Sequence, residues 1–283
     1  MKKIGLLGPK GTHSEEAALW LKKFLREDFR LELCADIFDV LGAVSEQTLD
    51  AGLVPVENSL EGSINVTLDT LARSDTLTVA RELVWPVKNF LLTKPTADVA
   101  NVRKIFSHAQ PLAQCRNFLR QNFTDAEIIS TASTARAAEI VADSDAEENF
   151  AAIATERAAK LHGLAAKKIP SDAKNFTRFF EIRHRARDAA PIETFDGDKV
   201  LLVCQIDGSR AGSLCDVLSE FARRNVNLTR IESRPARTIL GAYIFFFEIE
   251  TDAGDENLSE AIRAVYDKSI WLKNLGTFPV INA

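Results

Sequence analysis

Short apolar runs alternate with stretches whose apolar residues recur every three or four positions, and this alternation sets the element order. Lys3 to Gly8 predicts a first buried strand, and Ala17, Ala18, Leu21, Phe24 and Leu25 then mark one face of a helix. Leu31 to Ala35 predicts a second strand, with Ile37, Val40, Leu41 and Val44 marking a second helix. A buried strand from Ala51 runs into Glu57, Asn58 and Ser59, ahead of a helix from about Asn65 to Ala72. Leu77 to Val84 and Lys88 to Thr93 predict two strands bridged by Trp85-Pro86, where the chain would cross between lobes. A strand from Lys104 precedes a helix with Leu112, Cys115, Phe118 and Leu119 on one face. Ala126 to Ser130, an Ala-rich helix, Phe150 to Ala154, Lys167 to Ile169 and Phe176 to Ile182 complete the alternation.

A β-α-β-α order of this kind predicts an α/β class, a doubly wound sheet split into two lobes with a cleft between them. The charged segment His184 to Asp198, with Ala-Ala-Pro and Asp-Gly-Asp, reads as a linker. Beyond it the order becomes strand, helix, strand, strand, helix, strand in about eighty residues, the ferredoxin-like βαββαβ arrangement. The expected boundaries are 1–183 for the two-lobed domain, 184–197 for the linker and 198–283 for the last domain, a binding or assembly module.

Composition narrows the function. A formal charge of −5 and a pI near 5.6 argue against a sequence-independent grip on nucleic acid, which needs a basic face. No apolar run reaches membrane-span length, and Pro9 and Lys10 break the first one too early for a signal peptide, so a cytoplasmic protein is expected. Cys34, Cys115, Cys204 and Cys215 have no zinc-like spacing and read as small buried apolar residues. His13, His108, His162 and His184 are too scattered for a metal site, and no cofactor is expected.

Candidate chemistry lies where strands run into small polar residues. Gly8-Pro9-Lys10-Gly11-Thr12-His13-Ser14 joins a strand to a helix and gathers free N–H groups with hydroxyls, an anion site or a plain helix cap. Glu57, Asn58 and Ser59, then Ser107, His108 and Gln110, then Ser133 and Thr134 repeat the theme. Asn175-Phe-Thr-Arg-Phe-Phe180 places the Thr177 hydroxyl beside the Arg178 cation. An Arg fork suits a carboxylate, yet neighbouring strand residues point apart, so Arg178 serves either a substrate or a structural salt bridge.

These stretches together resemble the prephenate dehydratase family over nearly the whole chain: Gly8 to Ser14, Val54 to Ser63, Ser107 to Cys115, Thr131 to Thr134 and Asn175 to Phe179. The last eighty residues resemble an ACT domain, with Gly212-Ser-Leu214 and Ile231-Glu-Ser-Arg-Pro235. The resemblance implies a periplasmic-binding-protein-like catalytic fold and conversion of prephenate to phenylpyruvate, water and carbon dioxide, with phenylalanine as an inhibitor at the ACT domain. It implies catalytic roles for Thr177, Arg178, Asn58, Ser59 and Gln110, with Thr177 at the leaving hydroxyl. Substrate contacts would come from Thr12, Ser14, Glu57, Ser107, His108, Ser133, Thr134 and Phe179. Phenylalanine would meet Gly212, Ser213, Leu214, Asn227, Leu228, Glu232, Ser233, Arg234 and Pro235, in a homodimer or homotetramer.

Three positions depart from the family pattern: His13 for an aromatic residue, Ala109 and Pro111 exchanged, and Ser213 for Ala in the regulatory motif. Since the chain starts at the first dehydratase strand, no chorismate mutase activity is expected. Two other readings stand beside the main one: an arogenate dehydratase, and a non-catalytic amino-acid or solute sensor.

Overall fold

The computed structural model describes residues 1–170, 174–185, 197–239, 241–252 and 254–283. Of the expected linker, positions 186–196 lie outside the described residues. The chain divides into two compact units. The first holds Met1–Asp36, Glu57–Gly62 and Trp85–Thr177; the second holds Ile37–Val56, Ser63–Val84 and Arg178–Ala283.

In the first unit, strands Lys2–Leu7 and Phe29–Cys34 pair in parallel, joined by the helix His13–Leu25. That helix buries Ala17, Ala18 and Leu21, but Phe24 is 56% exposed. Its ring instead stacks on Trp20 one turn earlier, with centroids 4.9 Å apart, so a helix neighbour covers it in place of the sheet. A five-stranded sheet follows the order Ala165–Lys168, Phe90–Thr93, Phe150–Ala154, Lys104–Ser107, Glu127–Ser130. Its first two pairings are antiparallel and its last two parallel, the latter because helices return the chain between those strands.

The single helix expected after Ser107 is two, Ala109–Gln114 and Arg116–Asn122, broken at Cys115 where ψ is 9°. A helix absent from the periodicity reading, Glu156–His162, starts at the Thr155 cap and stops at Gly163 with φ 66°. Those two cap signals were present in the sequence, but seven residues are too few for periodicity to register.

In the second unit, Val280–Asn282 and the parts of the strands Leu77–Pro86, Phe176–His184 and Ala51–Asn58 that belong to this unit are successive neighbours in one sheet. A separate four-stranded antiparallel sheet runs Leu228–Pro235, Tyr243–Glu250, Lys199–Gln205, Trp271–Phe278. Helices Ser213–Arg223 and Glu256–Asp267 supply Val217, Phe221, Leu258, Ala261 and Val265 to a core shared with Val200, Leu202, Phe247 and Ile249. This is the expected βαββαβ unit. The last strand was not expected: after Phe278 the chain continues as Val280–Asn282, parallel to Glu82–Val84. Gly276 permits the approach, since a Cβ there would lie 2.4 Å from the Val79 carbonyl oxygen.

Among the described residues no helix is long and apolar enough to cross a membrane. Cys115 and Cys204 are buried as expected, but Cys34 is partly exposed and Cys215 is exposed. The apolar pattern around Cys215 belongs to Leu214, Val217 and Leu218, which face the core and turn Cys215 outward.

Candidate active site

Asn58 ends its strand 6% exposed, and its amide is oriented by groups that have only one hydrogen-bonding option. The Leu60 N–H can only donate, and it meets Asn58 Oδ1 at 3.1 Å. The Phe176 carbonyl can only accept, and it meets Asn58 Nδ2 at 3.1 Å. The same Nδ2 group therefore donates to Asn175 Oδ1 at 2.8 Å and reaches Thr177 Oγ1 at 3.0 Å. With a lone pair of Thr177 taken by a donor, the threonine's own proton is left to point elsewhere.

The chain of amides extends further. Asn175 Nδ2 donates to Gln114 Oε1 at 3.0 Å, and Asn89 Nδ2 reaches the same oxygen at 3.2 Å. Two donors on Oε1 turn the Gln114 N–H₂ group away from them. Ser59 holds the segment before Thr177: its Oγ accepts from the Phe176 N–H at 2.9 Å and donates to the Lys174 carbonyl at 3.3 Å, while its N–H donates to the Phe176 carbonyl at 2.8 Å. The assembled set of Asn58, Ser59, Asn89, Gln114, Asn175 and Thr177 is neutral throughout.

Of the expected site residues, Asn58, Ser59 and Thr177 come together directly. Gln110 lies one turn before Gln114 on the helix Ala109–Gln114, and therefore on the same helix face. Asn89, Gln114 and Asn175 were missed as site residues. Gln114 and Asn175 stand inside motifs already singled out, but only the fold shows that their side chains share partners.

The remaining candidates start helices or pack. Thr12 caps the helix His13–Leu25, accepting from the Glu15 N–H and donating to the Leu7 carbonyl, both at 3.4 Å. Ser14 is buried in its first turn, and the His13 ring stands 3.7 Å from Glu16 Oε2. His108 Nδ1 accepts from the Gln110 N–H as a helix cap. Ser133 caps the helix Thr134–Asp143, of which Thr134 is the first residue. Glu57 alternates to the strand face opposite Asn58.

Three assignments are corrected. Ser107 is fully buried and gives its proton to the Ile153 carbonyl at 2.6 Å, so it ties strands together and meets no substrate. Phe179 is 1% exposed and serves the core. Arg178 points away from Thr177, as strand alternation requires. Its guanidinium is bidentate on Glu82, Nε–Oε1 2.5 Å and Nη2–Oε2 2.9 Å, and reaches Glu248 at 2.6 Å.

Around that fork is a buried ion cluster. Lys199 lies 3.2 Å from Glu82 and 3.8 Å from Glu248, and Arg230 lies 3.0 Å from Glu248. Burial alone would push the Glu248 carboxyl up, but Arg178, Arg230 and Lys199 hold it below the usual carboxylate range. The carboxylates of Glu82 and Glu248 in turn push the Arg178 pKa up against its own burial, so the Arg178–Glu248 pair stays ionised.

Residues 4–187 match the family model for prephenate dehydratase, and residues 202–265 match the ACT domain. The chain belongs to the prephenate dehydratase family. The prephenate dehydratase of Methanocaldococcus jannaschii is 33% identical over 276 residues, covering 97% of each chain. The structure of prephenate dehydratase in complex with L-Phe from Arthrobacter aurescens superposes with a TM-score of 0.86 at 29% identity, covering 98% of this chain and 90% of that one. A structure described as GqqA, a novel type of quorum quenching acylase, matches with a TM-score of 0.85 at 26% identity, covering 99% and 98%.

In this dehydratase-family chain the ACT sheet and its first helix enclose a cavity of about 300 Å³, lined by Ile206, Arg210, Gly212, Ser213, Leu214 and Phe245 among others. Gly212 adopts φ 86° to open the helix. Ser213 is 7% exposed and donates its hydroxyl to the Arg210 carbonyl at 2.9 Å, so the departure from the family's Ala adds no unpaired polar group. Residues 231–235 are not part of this lining. Arg234 is bidentate on Asp69 at 3.0 and 3.2 Å, and Glu232 accepts from Ser63 Oγ at 2.9 Å. Asn227 donates to Glu250 at 2.6 Å. Within one chain the side chains of Arg234, Glu232 and Asn227 are therefore bonded to carboxylates and a hydroxyl and do not line this cavity. Leu228 packs against the domain core, and Ser233 and Pro235 alternate to the exposed side of their strand.

Proposed function

We propose that the protein converts prephenate to phenylpyruvate, with Thr177 donating a hydrogen bond to the departing ring hydroxyl. The ring carboxylate leaves as carbon dioxide, and its bonding electron pair enters the ring. The ring becomes aromatic as the opposite C–O bond breaks, and the departing hydroxide takes up one proton to become water. Negative charge therefore develops on the leaving oxygen, where a preorganised donor is worth most. The single observation that carries this reading is the orientation of Asn58, which presents a donor to Thr177 Oγ1 and leaves the threonine proton free for the substrate. Gln110 and the outward N–H₂ of Gln114 supply further neutral donors for the substrate carboxylates.

An acylase reading with Thr177 as its nucleophile would need a base to take the Thr177 proton. Its partner in the amide cluster is a donor, which favours the dehydratase. Arogenate differs from prephenate only in the side chain, and is the second substrate to test.

Phenylalanine occupies the ACT cavity and inhibits, a reading supported by the L-Phe complex of the Arthrobacter relative and by Gly212, Ser213 and Leu214 in the cavity wall. The active form is a homo-oligomer, for which the support is the Leu228–Pro235 edge strand with Ile231 45% exposed. Four free cysteines suit a reducing cytoplasm. The test is phenylpyruvate formation from prephenate, followed by ultraviolet absorbance in alkali with and without phenylalanine. Turnover that phenylalanine suppresses is the expected result; no product from prephenate overturns the reading.

A further inference from the structure

One strand, Tyr243–Glu250, has two occupations. Tyr243 and Phe245 line the ACT cavity, while Glu248, three residues beyond Phe245, holds Arg178 at 2.6 Å. Alternation puts Phe245 and Glu248 on opposite faces of the sheet, so the strand presents one face to a ligand and the other to the ion cluster.

The cluster is built to transmit position. Glu248 and Glu82 are almost fully buried, with side chains 2% and 1% exposed, and Arg178 is 16% exposed. Lys199 bridges both carboxylates, and Arg230, paired with Glu248 across the strands, also donates to Ser63 at 2.6 Å. A planar fork gripped by two carboxylates resists sliding or rotating independently. Buried ion clusters of this kind often add little net stability over apolar packing, and their best-attested use is to hold register.

Arg178 is the chain neighbour of Thr177, so their Cα atoms are about 3.8 Å apart. The Asn58–Thr177 hydrogen bond is sensitive to small displacements, and misplacing a catalytic group by about 1 Å can cost roughly 100-fold in rate. A shift of the Tyr243–Glu250 strand thus reaches Thr177 through one side chain.

We propose that Glu248 and Arg178 form a strut through which occupancy of the ACT cavity sets the position of Thr177. Arg178 is then a positioning residue for the reaction, and Glu248 the point where the regulatory sheet takes hold of it. The inference rests on the reading that phenylalanine fills the cavity and that Thr177 stands at the reacting centre.

Glu248→Gln tests it, with phenylalanine binding followed by calorimetry and inhibition followed by turnover on the same full-length preparations. Wild-type protein should bind phenylalanine and lose activity. The Gln variant should bind phenylalanine within about 3-fold of wild type while its inhibition falls at least about 10-fold, within the range of ordinary coupling energies. Equal inhibition of the two proteins overturns the strut and leaves the function intact. Failure of the wild type to bind phenylalanine overturns the regulatory reading and the strut with it. If Glu248→Gln does not show a cooperative thermal transition, Glu248→Asp keeps the charge and shortens the reach. Binding with weakened inhibition then supports the strut, and wild-type inhibition overturns it.

Discussion

Asn58 stands 3.0 Å from Thr177 with its donor nitrogen toward the hydroxyl, because its oxygen is held by the Leu60 N–H on the other side. Replacing Asn58 with Asp keeps the size and turns the donor into an acceptor. The Thr177 proton would then point inward, and a carboxylate would face the Phe176 carbonyl and Asn175 Oδ1. The expected outcome is a fall in kcat of about 10²–10³-fold with a much smaller change in KM. Steady-state kinetics on prephenate check this; a kcat near wild type rules out the assigned direction of the hydrogen bond.

Gln114 separates holding from binding. Gln114→Leu leaves the Asn89 and Asn175 amides without their acceptor, and should cost about 1–3 kcal/mol of stability, read by denaturant unfolding. Gln114→Glu keeps the acceptor and replaces the outward N–H₂ with an anion. Its stability should stay close to wild type while KM for the dianionic substrate rises. A KM that does not move places the Gln114 amide away from the substrate.

The cysteines should react in order of exposure. Burial pushes the Cys115 and Cys204 thiols up to about 11, so both are protonated at neutral pH and screened from reagent. Cys215 is exposed and should be alkylated first by iodoacetamide, with Cys115 and Cys204 modified only on unfolding. Mass spectrometry of peptides from timed reactions reads the order, and early labelling of Cys204 contradicts it.

Acid should weaken the second unit through Asp69. Burial favours its neutral form, but the Arg234 fork, with Arg237 and Arg73, outweighs burial and holds its carboxyl below the ordinary value. A carboxyl depressed on folding contributes stability that is present above the unfolded value of about 3.9 and is lost as pH falls through the folded one. Asp69→Asn should therefore lower the melting temperature at pH 7 and flatten its fall between about pH 5 and pH 2. Parallel melting curves for the variant and wild type across that range count against the linkage.

Legibility followed range. The helix Ile37–Ser45 was readable because Ile37, Val40, Leu41 and Val44 repeat at helical spacing and all four are buried. Thr177 and Asn58 were readable because each sits in a distinctive polar stretch at a strand terminus. Asn89 was not, since it lies in an ordinary stretch and matters only through Gln114, which is 25 positions away. Arg178 shows the limit most clearly. Alternation along its strand states that it points away from Thr177, but Glu82 and Glu248, which receive it, are 96 and 70 residues distant.

By itself the sequence determined most of the order of strands and helices, the βαββαβ module and the small polar residues available for chemistry, because these depend on periodicity and local backbone preference. The tertiary structure alone decided which amides share an acceptor, which hydroxyls are spent on carbonyls and which carboxylates claim Arg178. Hydrogen bonds and ion pairs act over about 3 Å, and only the folded chain brings residues so far apart in sequence within that distance.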